Sequence, residues 1–170
     1  MKNSLGLESG TVRVVAYYPG WPALFGAEAA RLRNACPLPL QLEHVGSTAV
    51  PGLSAKPVLD ILAGHPPVIS ALDYVKPLES AGYEHRGDRG IPGHQFFRRG
   101  QPRAYHIHLV AEPGKLWRDY LAFRDYLRTH ADAARRYGEL KQALAQQFPR
   151  NREAYIEGKA VFVAEILRLW

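Results

Sequence analysis

Apolar residues recur three or four positions apart in five segments of the chain, which is the spacing of an amphipathic helix. In residues 21–34 this pattern includes Trp21, Phe25 and Leu32. The same pattern predicts four more helices, and the last three of the five follow one another at the C-terminal end of the chain. The other predicted helices cover residues 68–80, 114–130, 131–148 and 151–169.

Short apolar and β-branched runs that end at Gly or Pro predict strands. Residues 12–18 are expected to form a short strand or an extended arm, and residues 87–93, with three glycines and a proline, a loop. Strands and helices are mixed along the chain and helices close it, which predicts an α+β fold with a helical C-terminal cap. The predicted strands cover residues 40–45, 58–63, 83–86, 94–99 and 104–110.

Length and composition favour one globular unit. The 170 residues are 46% hydrophobic and 22% charged, enough for one buried core, and we expect a single domain over residues 1–170. No apolar run approaches 18 residues, and the first six residues have no apolar core, so neither a membrane span nor a secretory signal is predicted. Cys36 is the only cysteine, which excludes an intramolecular disulfide and a multi-cysteine zinc site. We therefore expect a cytoplasmic location.

Charge is distributed unevenly between the two halves of the chain. Residues 1–85 hold 6 Lys and Arg against 7 Asp and Glu, whereas residues 86–170 hold 16 against 9. Arginine supplies 16 of the 22 cations, and its guanidinium is well suited to phosphate and carboxylate. The positive charge of the second half therefore favours an anionic partner. The alternative is that the arginines only lie on solvent-exposed faces of helices, which would give the same excess of positive charge.

The sequence from Glu43 to Leu62 reads EHVGSTAVPGLSAKPVLDIL and holds the main candidate for a phosphate site. A strand that ends in the turn 46–48, Gly-Ser-Thr, offers unobstructed backbone N–H groups and hydroxyls that can hold phosphate oxygens. Lys56 adds a cation nearby. The alternative is that the two hydroxyls only stabilise a turn or cap a helix.

Asp60 is a carboxylate inside the apolar run of residues 58–62. Burying an unpaired carboxylate is costly, so Asp60 needs a metal ion, a cation or hydrogen-bond donors. The structural alternative is that it caps a neighbouring loop or pairs with a buried arginine. On a strand, Val58, Asp60 and Leu62 share one face.

His106 and His108 are two residues apart on a predicted strand and therefore share a face. If residues 100–103 form the turn of a hairpin, Arg99 pairs with Ala104 and lies on the same side. Two imidazoles beside an arginine could bind phosphate, and one of them could ligate a metal. The alternative is that one histidine is a hydrogen-bonded core residue.

Further candidates lie on the predicted helices and on the first core strand. Arg124 interrupts an apolar stripe, so it is either an anion ligand or an ion-pair partner of Asp60 or Asp125. His44 alternates with Leu42 on a buried face and is expected to be a core histidine with a hydrogen-bond partner. The weaker candidates that could reach a substrate from the helical cap are Lys141, Tyr155 and Lys159.

Taken together, these motifs resemble the GrpB family, which has a nucleotidyltransferase-like fold and also occurs fused to some bacterial dephospho-CoA kinases. The resemblance continues with FFRRG at 96–100, HIHLV at 106–110 and LAFRDYL at 121–127, and covers nearly all of residues 12–168. It implies a mixed β-sheet flanked by helices. It also implies that a Gly-Ser turn grips a nucleoside triphosphate and that acids on the next strand hold divalent metal ions.

Gly46, Ser47 and Asp60 match that pattern, but the position two residues after Asp60 does not. The wider superfamily usually has a second acid there, and this chain has Leu62, which cannot bind a metal. Two-metal chemistry needs enough anionic oxygen to hold both ions. Glu43, a histidine or the substrate would have to complete the site.

The expected function is a divalent-metal-dependent nucleotidyltransferase that acts on a small molecule. Asp60 and His108 are the expected catalytic residues, with Mg²⁺ or Mn²⁺ held by Asp60 and Glu43. The alternative is a non-catalytic module that binds a nucleotide or a CoA-like ligand at a degenerate site. Nucleic-acid binding by the basic half is not expected, because no RNA or DNA reader motif is present. The expected nucleotide and phosphate ligands are Gly46, Ser47, Thr48, Lys56, Arg99, His106 and Arg124.

Overall fold

The computed structural model describes residues 5–169, which hold five strands and five α-helices. Residues 1–4, on which the expectation about a secretory signal partly rests, and residue 170 lie outside this range. The strands are β1 (Gln41–Val45), β2 (Leu59–His65), β3 (Glu84–His85), β4 (His94–Arg99) and β5 (Tyr105–Ala111). The α-helices are α1 (Trp21–Ala35), α2 (Val75–Ser80), α3 (Lys115–Thr129), α4 (Ala131–Gln147) and α5 (Arg152–Leu167).

The strands form one mixed sheet in the order β1-β2-β5-β4-β3. The central pair, β2 and β5, is parallel, and the other neighbours are antiparallel. Helices cover both faces of the sheet, and α3, α4 and α5 follow the last strand at the C-terminal end of the chain. The expected α+β fold with a helical C-terminal cap is therefore confirmed. Among residues 5–169, no helix has the length and apolar character needed to cross a membrane.

The two faces of the sheet pack against different helices. One face joins α1 and α2 in a core that includes Leu32, Ile61, Leu78, Phe97 and Ile107. The other face carries Leu62 and Val110, which pack against Trp117 of α3. Because side chains alternate along each strand, Asp60, His106 and His108 lie on this second face, toward the C-terminal helices.

Of the two alternatives expected for residues 12–18, the structure has the extended arm, which makes one isolated bridge, between Val15 and Ala55. Two local predictions differ from the structure. The helix expected over residues 68–80 begins only at Val75, after a 3₁₀ turn, which places Pro77 in the first helical turn where no backbone N–H is required. The strand expected over residues 83–86 pairs only at Glu84 and His85.

The predicted register of the β4–β5 hairpin is wrong by one residue. Arg99 pairs with Tyr105, not Ala104, and Phe97 pairs with Ile107. The connection holds five residues, and the positive φ of 105° at Gly100 lets the chain turn within it. A shift of one residue moves a side chain to the opposite face of a sheet, so Arg99 lies on the face away from His106.

Candidate functional site

A cavity of about 500 Å³ lies between the second face of the sheet and the three C-terminal helices. Its floor includes the turn after β1, Asp60 of β2 and both histidines of β5. Its walls come from α3, α4 and α5. Most of the residues for which the sequence suggested chemistry therefore meet in one place.

The Gly-Ser turn is shaped by its contact with Asp60. Gly46 has a φ of +72°, and a Cβ atom at this position would lie 2.7 Å from Asp60 Oδ2. Both the backbone conformation and the close approach therefore require glycine. The hydroxyls that follow are already engaged, because Ser47 Oγ accepts from Lys141 Nζ at 2.7 Å and Thr48 Oγ1 lies 2.9 Å from Nε2 of His44.

The parallel pairing of β2 and β5 brings the carboxylate to the histidines. Asp60 is directly opposite His106, and Leu62 is directly opposite His108. His106 Nδ1 and His108 Nε2 each lie 3.1 Å from Asp60 Oδ1. The side chain of Asp60 is 30% exposed and lines the cavity, so it is neither sealed in the core nor paired with an arginine.

Asp60 is ionised in this environment. Burial alone would raise the pKa of its carboxyl, but the contacts with His106 and His108 outweigh burial and hold the pKa well below its usual range. Burial also lowers the pKa of His106 to about 4, against the pull of Asp60. At neutral pH the carboxylate of Asp60 therefore accepts a hydrogen bond from a neutral His106 imidazole, although their separation also meets the distance of an ion pair.

Four cations line the cavity opposite the carboxylate: Lys56, Lys141, Lys159 and Arg152. The salt bridges among residues 5–169 are made by other cations, so none of these four has a carboxylate partner there. Burial and the neighbouring lysines lower the pKa of Lys56 to about 7 and that of Lys141 to about 6. The cavity thus brings together four basic groups, of which Lys141 and Lys56 lose their protons more readily than free lysines.

Aromatic rings lie close to three of these cations. Lys56 and Lys159 lie 5.0 Å and 4.7 Å from the ring centre of Tyr155, and Lys141 lies 4.7 Å from that of Tyr137. Within the described residues, the hydroxyl of Tyr155 is buried without a hydrogen-bond partner. Buried polar atoms are nearly always paired, so this hydroxyl is available to a ligand.

Part of the cavity wall is apolar, and this part comes from α3 and α5. An apolar surface beside a cluster of charges suits a ligand that has both an uncharged and an anionic part. The apolar lining residues include Leu116, Phe123, Val163 and Leu167.

Three of the predicted site residues lie elsewhere and are engaged in ion pairs. Arg99 is on the opposite face of the sheet, where its Nη2 is 2.7 Å from Oε2 of Glu28. Arg124 pairs with Glu43 at 2.6 Å and with Asp125 at 2.7 Å, and it does not line the cavity. The expected metal ligand Glu43 is therefore neutralised by Arg124, which leaves Asp60 and the two histidines as the donor cluster.

The remaining candidates are placed as follows. His44 stacks on Phe25 with 4.9 Å between ring centres, and burial lowers its pKa to about 4, so it is a neutral core histidine as expected. The other candidates, whose roles stay predictions, line the cavity: Gly46, Ser47, Thr48, Lys56, Asp60, His106, His108, Lys141, Tyr155 and Lys159.

Three residues of the site were not among the sequence candidates. His94 Nε2 and Tyr120 Oη each lie 3.1 Å from His108 Nδ1, and Arg152 belongs to the cation cluster. Tyr120 lies in α3 among apolar residues at helical spacing, so the sequence gives it no separate signal as a site residue. Only a correct β4–β5 register would have placed His94 beside His108.

The fold is nucleotidyltransferase-like. A structure of the Cid1 poly(U) polymerase with MgGTP bound superposes with a TM-score of 0.52 at 12% identity, over 78% of this chain and 44% of that chain. A sequence comparison defines the family within this fold. The GrpB protein model matches residues 11–169, and the chain belongs to the GrpB family. The crystal structure of GrpB from Enterococcus faecalis has a TM-score of 0.81 and 33% identity, with 92% of this chain and 96% of that chain covered.

Sequence relatives include longer proteins. UPF0157 protein PA4798 of Pseudomonas aeruginosa is 46% identical over 92% of this chain, which spans 66% of that protein's length. A protein named dephospho-CoA kinase from Mycolicibacterium paratuberculosis is 30% identical over 92% of this chain and 45% of its own length. That match agrees with the fusion implied by the family resemblance.

Proposed function

We propose that this protein binds a nucleoside triphosphate together with a divalent cation and transfers the nucleotidyl group to a small molecule. The observation that carries this proposal is the arrangement of charge in the cavity. Asp60 and its two histidines lie at the base, and four cations without carboxylate partners among the described residues face the same space. A metal-bound polyphosphate has the charge that both groups need.

The cation cluster is the proposed phosphate site. Burying an unpaired charge costs several kcal/mol or shifts its protonation, and each of these groups has a lowered pKa. Phosphate oxygens would supply the missing negative charge to Lys56, Lys141, Lys159 and Arg152. Backbone N–H groups of the turn at Gly46 and Ser47 would add neutral donors.

The divalent cation would be held through Asp60. When bound, such an ion neutralises phosphate charge and supports in-line displacement at phosphorus. The protein's own part is to hold the carboxylate ionised, through its contacts with His106 and His108, and to keep Gly46 close to it.

The apolar wall gives the uncharged part of a substrate a place to bind. Leu116, Phe123 and Val163 line the cavity, and Tyr137 is also present. A nucleobase or the apolar portion of a small acceptor would be removed from water there.

The test is a binding titration followed by an assay of turnover. ATP, GTP, CTP and UTP are each titrated with Mn²⁺ into the wild type, Asp60→Asn and Asp132→Asn. Asp132 is 95% exposed on α4, so it controls for the same chemical change away from the cavity. We expect at least one nucleotide to bind to the wild type. Asp60→Asn should bind it at least about tenfold more weakly, and Asp132→Asn should bind it as the wild type does. Absence of binding by all four nucleotides, or equal binding by both variants, contradicts the proposal.

The second candidate is a ligand-binding module without turnover, and Leu62 favours it. Leu62 is fully buried against Val45 and Trp117, at the position where the second acid of the superfamily is expected. Pyrophosphate release, measured with a panel of small hydroxyl and amine acceptors, separates the candidates. Nucleotide binding that depends on Asp60 without pyrophosphate release supports the module.

A further inference from the structure

Asp60, His106 and His108 are spaced as ligands of one metal ion. Their carboxylate oxygen and imidazole nitrogens all lie within 4.8 Å of one another. Bonds of about 2.1 Å place neighbouring ligand atoms about 3.0 to 3.4 Å apart in octahedral or tetrahedral geometry. The separations from Asp60 Oδ1 to the two nitrogens are both 3.1 Å, which is within that range.

The hydrogen bonds of His94 determine which nitrogen of His108 carries a proton. His94 is buried, and its Nδ1 lies 3.1 Å from the carbonyl oxygen of Asp88, which can only accept. In the neutral ring Nδ1 is therefore the donor and Nε2 the acceptor. His94 Nε2 lies 3.1 Å from His108 Nδ1, so His108 donates from that nitrogen.

With its proton on Nδ1, His108 offers the lone pair of Nε2 toward Asp60 Oδ1, 3.1 Å away, which is the form of the ring that binds a metal ion. A histidine that ligates through one nitrogen and donates a hydrogen bond through the other is the usual arrangement at metal sites.

The donor atoms also indicate which metal fits. Imidazole nitrogen suits transition-metal ions, whereas Mg²⁺ takes almost only oxygen ligands and retains several waters. Asp60 contributes the only carboxylate of this cluster, because Glu43 is paired with Arg124. The donor set therefore differs from the Mg²⁺ site that the fold class implies.

We propose that Asp60, His106 and His108 bind one divalent first-row transition-metal ion (Mn²⁺, Fe²⁺, Co²⁺ or Zn²⁺) in preference to Mg²⁺. His94 and Tyr120 act as positioning residues that orient His108 through its Nδ1. Three protein ligands leave further coordination positions toward the cavity.

The test uses metal alone. Because this inference rests on the same site as the proposed function, no nucleotide is added, so that its failure leaves nucleotide binding to be judged separately. Untagged, chelator-treated protein is titrated with Co²⁺, Zn²⁺, Mn²⁺ and Mg²⁺ by calorimetry, and the visible absorption of Co²⁺ reports its ligands. We expect one equivalent of Co²⁺ and Zn²⁺ to bind at least about 100-fold more tightly than Mg²⁺.

Variants separate ligands from positioning residues. Asp60→Asn and His108→Asn are expected to abolish the Co²⁺ spectrum, and His94→Phe to weaken Co²⁺ binding by about 10- to 100-fold with the spectrum retained. His130→Gln, a change at an exposed histidine outside the cavity, is the matched control and should bind as the wild type does. Equal affinity for Mg²⁺ and Co²⁺, or unchanged Co²⁺ binding in Asp60→Asn, overturns the proposal.

A second measurement does not depend on whether a variant folds. In the wild type, ¹⁵N NMR of the imidazole rings is expected to show a Zn²⁺-dependent shift at His108 Nε2 while His94 keeps its proton on Nδ1. If Zn²⁺ leaves the ring signals unchanged and His108 carries protons on both nitrogens, a proton rather than a metal lies between His108 and Asp60. That result also overturns the proposal.

Discussion

The two faces of the sheet bury charged groups in opposite ways. On the face that packs against α1, Glu28 is 4% exposed, and its carboxylate accepts from Arg31 at 2.6 Å, Arg99 at 2.7 Å and the hydroxyl of Tyr83 at 2.8 Å. On the other face, the lysines and Arg152 of the cavity have no carboxylate partner among residues 5–169. The charges of the Glu28 cluster are neutralised within the protein, whereas the four cavity cations have no carboxylate partner among the described residues, and we propose that a ligand supplies one.

The two groups of charges differ in their effect on the folded protein. The Glu28 cluster joins α1 to β4, so its charges contribute to the folded state alone. The cavity cations repel one another, as the lowered pKa of Lys141, caused by burial and then by Lys159 and Lys56, shows. Repulsion of that kind destabilises the unliganded protein and is relieved when an anion binds.

The largest expected effect is on the face that holds the Glu28 cluster. Glu28→Gln leaves Arg31 and Arg99 without their counter-charge, and we expect the unfolding free energy to fall by about 2 to 3 kcal/mol, discounted because both arginines are partly exposed. Urea denaturation measures the change. Glu139→Gln removes a surface ion pair on α4 and should change stability by less than about 0.5 kcal/mol. Nucleotide affinity should stay the same in both, and a loss in Glu28→Gln would break the contrast between the faces.

Gly46→Ala tests the contact that fixes Asp60 in the cavity. We expect a loss of about 2 kcal/mol in stability, because the new methyl group meets Asp60 Oδ2 at 2.7 Å and φ is positive. Gly52 has a similar φ of +78°, but no atom lies within 4 Å of the position that an added methyl group would take. Gly52→Ala should therefore show the conformational part alone, about 1 kcal/mol, with ligand binding intact. Equal losses in both variants would mean that the approach to Asp60 is unimportant.

Lys159→Met is expected to move stability and binding in opposite directions. Removing a partly buried cation without a carboxylate partner among the described residues should stabilise the unliganded protein by about 1 kcal/mol, while nucleotide affinity falls by about tenfold. Thermal denaturation with and without nucleotide measures both quantities. Lys76→Met, at an exposed position of α2, should alter neither. A destabilised Lys159→Met protein would indicate that its contact with Tyr155 outweighs the cost of burial.

The smallest effect is a proton uptake that accompanies binding. In the free protein Lys56 and Lys141, with pKa values of about 7 and about 6, are largely neutral at pH 8. Phosphate oxygens raise both pKa values, so the complex holds more protons, and affinity should decrease as pH rises from 7 to 9. Calorimetry at pH 8 in buffers of different ionisation enthalpy should report uptake of about one to two protons, and about one fewer in Lys141→Met. Proton release on binding would contradict this account of the cavity.

The local parts of the fold were predictable because their signals lie within short stretches of chain. Helical spacing located α1, α3, α4 and α5, and the run around Asp60 identified β2 together with an unusual carboxylate. The family resemblance rested on the same segment, and the match over residues 11–169 confirms it. The chemical character of the turn at Gly46 and of Lys56 was visible for the same reason.

Pairing between distant segments was decided only in three dimensions. A hairpin connection one residue longer than expected moved Arg99 to the face of Glu28, and the spacing of residues in α3 could not show that Arg124 reaches Glu43 rather than Asp60. Hydrophobic periodicity records which face of an element is buried, and it carries no information about the element that covers it. The sequence by itself determined the elements, their order and the inventory of charges. Tertiary packing decided which charges neutralise one another and which have no partner among the described residues, because that choice depends on distances between residues far apart in the chain.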